Sequence, residues 1–239
     1  MTVKSARRDG TVRRARGSMS AEEILAAAKR LVERDGIRLL SMPSLAKELG
    51  CGVTSIYWYF RSKEELLEAL TSDVFREMHE RLPPVGDGPW DEELLAYFLA
   101  FRDLLEQFPV YREINAFRAH LLFRHPSRGL LHRLEEGLAL LVRAGLTPEQ
   151  AAGVLTACSN YSRGFVALQH SQDTADYGGH GEDSVARTEG YRVLGSIHPT
   201  VEDLVPLNDE SFVLGLRLLI AGIRQTYPVD ITNDRRRAP

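Results

Sequence analysis

Apolar side chains recur every three to four residues along most of this 239-residue chain, a spacing that places them on one face of an α-helix. One short stripe of this kind consists of Met42, Leu45, Ala46 and Leu49. Ser41 precedes the stripe as a candidate N-cap, and Gly50 follows it, where glycine can adopt the left-handed conformation that ends a helix. The pattern predicts a short helix over about 42–49 and a second helix directly after the turn.

The second helix, predicted over about 53–60, has two different faces. Its apolar arc consists of Val53, Ile56 and Phe60, with Tyr57 at the edge. Its opposite arc consists of Thr54, Ser55, Trp58 and Tyr59. Two helices joined by a short glycine-containing turn form a helix-turn-helix, whose second helix enters the DNA major groove. Taken alone, the outward aromatic residues are equally consistent with ordinary core or interface positions.

The same periodicity predicts helices along the rest of the chain, with Gly or Pro at helix ends and capping boxes at three helix starts: Ser20 with Glu23, Ser62 with Glu65, and Thr147 with Gln150. These helices cover about 20–35, 62–81, 90–108, 111–122, 127–144, 147–170 and 209–226. The Pro- and Gly-rich run 83–89 separates the first two of these helices from the later ones. We therefore predict an all-α fold with one domain over 20–82 and a second helical domain over 90–228.

Composition and charge predict where in the cell the protein is found and indicate that its N-terminal residues are basic. No apolar run approaches the roughly 18–20 residues that span a bilayer, and no signal peptide is apparent, so a cytoplasmic protein is expected. Residues 1–81 carry 15 Lys and Arg against 12 Asp and Glu, whereas the remainder carries 15 against 21. Residues 1–19 are predicted to form a disordered basic arm that either contacts DNA or only solubilises the protein, and residues 229–239 a disordered tail.

The residues from 45 to 70 resemble the N-terminal DNA-binding region of the tetracycline-repressor (TetR) family. That family has an apolar-Ala-x-x-x-Gly turn, a short helix ending Leu-Tyr-x-His-Phe, and then x-x-Lys-x-x-Leu. The matching positions here are Leu45, Ala46, Gly50, Ile56, Tyr57, Trp58, Tyr59, Phe60, Lys63 and Leu66. The resemblance implies a three-helix DNA-binding domain followed by a helical domain for ligand binding and dimerisation.

The resemblance also implies roles for individual residues. Tyr57 and Lys63 would hold backbone phosphates. The positions over the base edges would be Val53, Thr54, Ser55 and Trp58. Ser44 and Tyr59 are added as candidate DNA contacts, although Tyr59 stands where the family more often has His and Pro43 stands where some members carry a polar groove contact. These departures mean that no operator sequence can be carried over to this chain.

Aromatic residues in the second predicted domain are candidates for a small-molecule cavity. An apolar wall with a few polar groups is how such sites are usually built, although core packing is the ordinary explanation of each residue. The candidates are Phe98, Phe101, Tyr111, Phe117, His120, Asn160, Tyr161 and Phe165. They would suit a small hydrophobic effector with one or two polar groups.

Small residues on two late helices suggest a self-complementary interface. One stripe consists of Gly153, Ala157, Asn160, Gly164 and Ala167, and the helix over 209–226 carries Ser211, Gly215 and Gly222. A two-fold dimer uses the same patch twice, so a homodimer through the helices around 147–170 and 209–226 is expected. Close packing within one subunit is the competing explanation.

Three functions remain to be distinguished. The preferred one is a repressor that binds a pseudo-palindromic operator as a homodimer and is released by a hydrophobic effector. The second is a DNA-binding activator or architectural factor without an effector. The third is an enzyme-like helical binding protein whose N-terminal DNA-binding domain no longer functions. No phosphate loop, nucleophile elbow or Cys/His metal spacing is present, so we expect no enzyme activity, cofactor or metal, although an ion carried by the ligand stays open.

Overall fold

The computed structural model describes residues 19–118, 128–174, 191–193, 196 and 207–227. Its α-helices are α1 (Ala21–Asp35), α2 (Met42–Leu49), α3 (Val53–Tyr57), α4 (Lys63–Arg81), α5 (Trp90–Gln107), α6 (Pro109–Arg118), α7 (Arg128–Arg143), α8 (Pro148–Thr174) and α9 (Asp209–Thr226). One turn of 3-10 helix covers Ile37–Leu39. None of the residues in these ranges lies in a β-strand, so the predicted all-α fold is confirmed.

Some of the predictions fall on other parts of the chain. The basic arm up to residue 18, the side chain of Phe117, the whole of His120 and the tail over 229–239 lie outside the described residues.

Local capping signals explain where several helices begin. At α1, the Ser20 hydroxyl accepts from the Glu23 amide and the Glu23 carboxylate accepts from the Ser20 amide, both at 3.2 Å. At α8, Thr147 and Gln150 exchange the same pair of bonds at 3.3 and 2.9 Å. Each pair satisfies amides that a helix start leaves without partners, so these two predicted capping boxes are confirmed.

The capping box predicted at the start of α4 forms only on one side. The Ser62 hydroxyl accepts from the Glu65 amide at 3.1 Å, as expected. The Glu65 carboxylate instead accepts from the Arg61 amide at 2.7 Å, one residue before the N-cap. The carboxylate therefore ties the start of α4 to the preceding turn.

Two predicted helix ends are wrong by three to four residues. α3 ends at Tyr57, not at 60, because the Tyr59 amide bonds the Ile56 carbonyl in a tighter i to i+3 turn that leads into α4. α8 continues to Thr174, past the predicted end at 170. Polar residues do not stop a helix whose backbone groups remain paired, so the polar composition after 170 was a poor boundary signal.

The described residues form two compact units. Unit 1 lies within Met1–Glu77 and Phe108–Ser127, and unit 2 lies within Met78–Gln107 and Arg128–Pro239. α4 contributes residues to both units, and α6 belongs to unit 1 although it follows the Pro- and Gly-rich run in sequence.

The core of unit 1 joins the apolar stripes of its helices. α1 contacts α2, α6 and the 3-10 turn, and α2 contacts α3. The fully buried side chains at its centre include Ile24, Leu45, Ile56, Leu66 and Leu70. Two short helices bury too little apolar surface to be stable alone, so α1 supplies the surface on which α2 and α3 are held.

A half-buried ion cluster ties α1 to α4 within unit 1. The Lys29 ammonium lies 2.7 Å from both Asp73 Oδ2 and Glu77 Oε2, and Arg76 also pairs with Asp73 at 2.5 Å. Burial alone would raise the pKa of Asp73, but the hydrogen bonds from Lys29 and Arg76 outweigh it and lower that pKa. Burial likewise lowers the pKa of Lys29, yet its two carboxylate partners raise it on balance.

Replacing Lys29 by methionine is expected to reduce the free energy of unfolding by about 1–2 kcal/mol at neutral pH. Because the folded pKa of Asp73 is lowered, its contribution is complete above the unfolded pKa of about 3.9 and is lost as pH falls through the folded value. Urea unfolding of wild type and Lys29→Met between pH 7 and pH 3 should therefore give a difference that shrinks in acid.

Arg30→Met is the matched control, since the Arg30 side chain is 56% exposed and its closest carboxylate, that of Glu48, lies 3.7 Å away. It should change the free energy of unfolding by less than about 0.5 kcal/mol. A Lys29→Met difference that stayed constant down to pH 3 would contradict the ionic explanation.

α5 is the central helix of unit 2, as its apolar sequence predicts. It contacts α7, α8 and α9, while α8 also contacts α7 and α9. Its buried side chains are Trp90, Leu94, Phe98, Phe101, Arg102 and Leu105. Acidic and basic residues interrupt even this helix, and none of the described helices combines the length and apolar character needed to cross a membrane.

α8 and α9 approach closely where Tyr161 meets Gly215. The Tyr161 hydroxyl donates to the Phe212 carbonyl at 3.0 Å, and its ring stacks on the Phe212 ring with centroids 5.3 Å apart. A Cβ atom on Gly215 would lie only 2.1 Å from the Tyr161 hydroxyl oxygen. Glycine at 215 is therefore required by packing inside one subunit.

Candidate nucleic-acid interface

The turn between α2 and α3 has the geometry predicted for it. Gly50 adopts φ 63° and ψ 31°, the left-handed conformation, and its amide bonds the last carbonyls of α2. At the other end of α2 the Ser41 hydroxyl accepts from the Ser44 amide at 3.1 Å. α2 is thus closed at both ends by local bonds, and α3 begins three residues after Gly50.

The surface of α3 separates the predicted apolar and outward arcs. Ile56 is fully buried and Phe60 is 6% exposed. Trp58 is 85% exposed, while Tyr57 and Tyr59 are 46% and 40% exposed. Thr54 is also exposed, whereas Val53 and Ser55 are half-buried. Three consecutive large aromatic residues on one short surface form an unusual patch, because isolated exposed apolar residues are the common case.

Two of the predicted DNA contacts also have structural partners. The Tyr59 hydroxyl donates to the Met19 carbonyl, which lies just before α1. The Ser44 hydroxyl donates to the Ser41 carbonyl at 2.9 Å and accepts from the Ser41 amide at 2.9 Å. Tyr59 therefore fixes the point at which the N-terminal arm joins unit 1, and Ser44 completes the N-terminal cap of α2.

The start of α4 has the features of an anion site next to α3. Lys63 is the first residue of α4 and is exposed, so a cationic side chain stands at the positive end of the α4 helix dipole, where anions bind readily. Arg61, which the sequence argument did not single out, is also exposed in the turn before it. A basic residue so close to Lys63 was visible in the sequence, but it matches no position of the motif that guided the choice.

A cavity of about 40 Å³ lies within unit 2, bounded by α5, α7, α8 and the segment after α4. Its walls consist of Val85, Glu93, Leu94, Tyr97, Phe98, Arg133, Leu134, Gly137, Leu140, Leu155 and Ser159. Burial raises the pKa of Tyr97 to about 12, so its hydroxyl is a neutral donor at physiological pH. The cavity combines an apolar wall with a small set of polar groups, as small-molecule sites do.

Of the predicted effector residues, Phe98 lines this cavity. Tyr161 and Phe165 instead pack around Phe212, with the Phe165 and Phe212 centroids 5.2 Å apart, because the α8 face that carries them turns toward α9. Phe101 lies 6.2 Å from Phe98 and is covered by the Arg163 guanidinium at 5.9 Å. The structure therefore packs these residues against other side chains and not on the cavity lining.

Two other predicted effector residues also lie away from the cavity lining. Tyr111 is buried in unit 1, where its ring packs on Phe108 with centroids 5.0 Å apart. Asn160 is exposed on α8, on the same side as the small residues. Sequence spacing alone could not assign these residues to a shared cavity, because it does not state which neighbouring helix each face meets.

The polar lining residues were missed by the sequence argument. Glu93, Tyr97, Arg133 and Ser159 line the cavity, but none of them was singled out as a candidate ligand contact. The one local signal was a basic residue embedded in the leucine-rich stripe of α7. Within the described part of the chain, no group of three or more His, Cys, Asp or Glu side chains is arranged to hold a metal ion.

An open face of α8 and α9 carries small residues and large exposed leucines. A Cβ atom built on Gly153, Gly164 or Gly222 meets no atom within 4 Å. Leu168, Leu214 and Leu218 are 60%, 59% and 63% exposed. Leu168 on α8 and the two α9 leucines are therefore turned to solvent in the single subunit.

Two family models match this sequence. The model of bacterial regulatory proteins of the tetR family matches residues 24–70, which include α2, α3 and the start of α4. The model of the tetracyclin repressor-like C-terminal domain matches residues 82–227.

Individual proteins that are similar to this chain are also transcriptional repressors of the helix-turn-helix or tetracycline-repressor type. An HTH-type transcriptional repressor of Mycobacterium tuberculosis is 36% identical over 173 residues, covering 72% of this chain and 66% of that relative, so a third of the relative's length is unmatched. A tetracycline repressor protein of class G from Vibrio anguillarum is 27% identical and covers 88% of this chain and 96% of its own. The crystal structure of a TetR variant from Acinetobacter baumannii in complex with minocycline is 25% identical, with a TM-score of 0.62 over 87% of this chain and 98% of that chain.

Proposed function

Because this chain belongs to the TetR family of bacterial regulatory proteins and is a DNA-binding transcriptional regulator, we propose that it is an effector-released repressor. In this proposal a homodimer binds a pseudo-palindromic operator, and a small hydrophobic molecule bound in unit 2 releases it. The observation that carries the proposal is the exposed aromatic surface of α3 beside the exposed cationic side chains of Arg61 and Lys63. The relatives that are named as repressors support repression, and not activation, of transcription as the effect of DNA binding.

In the proposed complex α3 lies in the major groove. The side chains that face the base edges belong to Val53, Thr54, Ser55 and Trp58. Their methyl, hydroxyl and ring atoms would contact the bases. Tyr57 and Lys63 hold phosphates that set the register of α3, since phosphate contacts position a protein without reading sequence. Ser44 and Tyr59 contribute through their structural bonds and reach the DNA only with their remaining hydrogen-bonding capacity.

The homodimer is proposed to form through the open face of α8 and α9. Gly215 is excluded from that role because its packing partner is Tyr161 of the same subunit, but Gly153, Gly164 and Gly222 have open space beside them. Exposed leucines next to small residues allow two helices to approach closely and bury apolar surface. A two-fold dimer would place two α3 helices about 34–36 Å apart, the distance between successive major grooves.

Release by the effector is proposed to follow from the small size of the unit 2 cavity. A drug-sized ligand needs about 300 Å³ or more, which far exceeds the 40 Å³ present. An effector would therefore bind an expanded conformation more tightly than this one and shift the population toward it. If the expanded dimer holds its α3 helices at another spacing, DNA affinity falls by the same coupling factor.

The experiment that tests the DNA-binding half of the proposal uses Tyr57→Phe and Lys63→Ala. We expect Lys63→Ala to lower operator affinity about tenfold and to reduce the slope of log affinity against log salt by about two, one for each subunit of the dimer. Tyr57→Phe should give a smaller loss without a change in slope, because it removes a neutral donor. The operator would be selected from random-sequence DNA by the wild-type protein, and binding measured by fluorescence anisotropy at several salt concentrations.

Glu80→Ala is a control in which an exposed residue of the same helix is truncated far from its start. It should leave the salt slope unchanged. If Tyr57→Phe and Lys63→Ala both bind the operator as tightly as wild type, α3 and α4 are not the reading surface. If DNA binding stands but no small molecule releases it, the alternative of an activator or architectural factor without an effector gains support.

A further inference from the structure

The two charged side chains that line the unit 2 cavity both hold the backbone that connects α4 to α5. Arg133 on α7 is the one cationic residue among the lining side chains, and Glu93 on α5 is the one anionic residue. The contacts of each lead to the same short stretch, which runs from the last turn of α4 to residue 88.

Arg133 binds the C-terminal end of α4. Its Nε donates to the His79 carbonyl at 3.1 Å and its Nη2 donates to the Leu82 carbonyl at 2.8 Å. Its Nη1 donates to Glu136 Oε2 at 2.7 Å, which holds the guanidinium in place. The last carbonyls of a helix lack intrahelical partners, so a guanidinium there stabilises both the bonds and the helix dipole.

Glu93 binds the segment that follows α4. Its Oε2 accepts from the Gly86 amide at 2.9 Å and its Oε1 accepts from the Gly88 amide at 3.2 Å. A Cβ atom at either glycine would lie within 2.6 Å of a Glu93 carboxylate oxygen. The carboxylate therefore fits closely between the two amides, and both of its oxygens are already engaged.

We infer that the effector is an apolar molecule with an anionic or strongly accepting oxygen, and that it recruits Arg133 away from the end of α4. The inference rests on the proposed function, since it assigns the effector chemistry and the release step of that same site. A guanidinium has five N–H groups, and three of those on Arg133 are engaged with the described residues. The remaining two, with the Tyr97 and Ser159 hydroxyls, make the cavity rich in donors.

A donor-rich lining selects an acceptor as ligand. A carboxylate, phenolate or enolate oxygen forms charge-assisted hydrogen bonds with a guanidinium, and a carboxylate often binds it in a bidentate manner. A cationic ligand would need Glu93, whose oxygens already accept the Gly86 and Gly88 amides, and would meet Arg133 as a like charge. The leucine and phenylalanine walls account for the apolar body.

The same contacts connect the cavity to α4. A ligand that turns Arg133 toward itself removes two hydrogen bonds from the carbonyls of His79 and Leu82. The C-terminal end of α4 is then less firmly held. The same helix begins at Lys63, which is one of the proposed DNA contacts next to α3. The ligand and the end of α4 therefore compete for the Arg133 side chain. The free energy of the two hydrogen bonds that α4 loses is the coupling free energy between ligand binding and DNA binding.

The first test compares an acidic and a neutral probe of similar shape on the whole 239-residue chain. Anilinonaphthalenesulfonate (ANS) carries an anionic group that phenylnaphthylamine lacks, and both fluoresce when bound in apolar sites. Arg133→Met keeps an apolar side chain of similar length and should weaken ANS binding at least about tenfold, while changing phenylnaphthylamine binding less than about twofold. Arg128→Met, an exposed arginine of the same helix, should change neither.

The inference is overturned if wild type does not bind ANS at a saturable site, if it prefers the neutral probe, or if Arg133→Met binds ANS as tightly as wild type. A general loss of folding is separated from these outcomes by the phenylnaphthylamine affinity and by thermal unfolding. An equal loss of both probes would mean that Arg133 only supports packing, which also overturns it.

The second test measures the α4 end and DNA binding. Saturating ANS should increase amide hydrogen exchange of wild type over 79–88 about tenfold and leave Arg133→Met, which is already released, unchanged. Without probe, Arg133→Met should bind the selected operator at least about fivefold more weakly than wild type and Arg128→Met. Unaltered exchange over 79–88 with ANS bound would refute the release step. A wild-type protein that selects no operator at all would refute the proposed function, while the probe and exchange measurements would still decide the assignment of Arg133.

Discussion

Replacing Leu218 by glutamate is expected to dissociate the proposed homodimer and to lower affinity for a two-half-site operator by about a thousandfold or more. Leu218 is 63% exposed in the single subunit and lies one turn from Leu214, which is 59% exposed. A two-fold interface carries the substitution twice, once from each subunit, so the change buries two carboxylates. Burying an unpaired charge costs several kcal/mol, which exceeds what one leucine contributes to binding.

Leu131→Glu is the matched control for this experiment. Leu131 is also a leucine of unit 2 with a largely exposed side chain, at 52%, but it belongs to α7, which is not one of the two proposed interface helices. Sedimentation velocity should find wild type and Leu131→Glu as dimers and Leu218→Glu as a monomer with an unchanged helical circular dichroism spectrum. A Leu218→Glu protein that stays dimeric would place the interface on another surface.

Replacing Trp58 by alanine is expected to lower operator affinity about a hundredfold while changing the free energy of unfolding by less than about 0.5 kcal/mol. The side chain is 85% exposed, so its removal leaves little cavity in unit 1. A specific base contact is worth roughly 1–3 kcal/mol, and a two-fold dimer loses it in both half-sites. The loss should therefore be much larger on the operator than on unrelated DNA.

Leu39→Ala provides the comparison, because Leu39 is another apolar residue of unit 1 that is 68% exposed, at the 3-10 turn before α2. Its replacement should leave the ratio of operator to unrelated DNA affinity unchanged. If Trp58→Ala weakens both DNAs equally, Trp58 positions the protein on the duplex and does not read bases. If it weakens neither, α3 does not enter the groove in the proposed way.

The helices and the turn between α2 and α3 were predictable because their signals are local. Ser20 with Glu23, Thr147 with Gln150, and Gly50 after α2 act within three or four residues of themselves, so their spacing in sequence is also their spacing in space. The errors at α3 and α8 occurred where local signals were weak. A tight turn ended α3 early, and a polar stretch remained helical.

The cavity of unit 2 was not predictable to the same degree, because a cavity depends on which helix faces meet. Of the residues predicted to contact a ligand, Phe98 lines the cavity, whereas Tyr161 and Phe165 surround Phe212. An aromatic stripe has the same periodicity whether it packs on a neighbouring helix or borders a cavity. Only the positions of α7 and α9 distinguish the two cases.

The sequence by itself determined the all-α class, the helix-turn-helix and its outward aromatic face, because i to i+4 spacing and capping are properties of the chain alone. The tertiary structure decided which small residues meet a neighbouring helix, as Gly215 does, and which stay open, as Gly164 does. It also decided that Arg133 binds carbonyls some fifty residues earlier in the chain, at His79 and Leu82. Contacts of that kind depend on how helices pack together, and no local pattern encodes the packing partner of a given face.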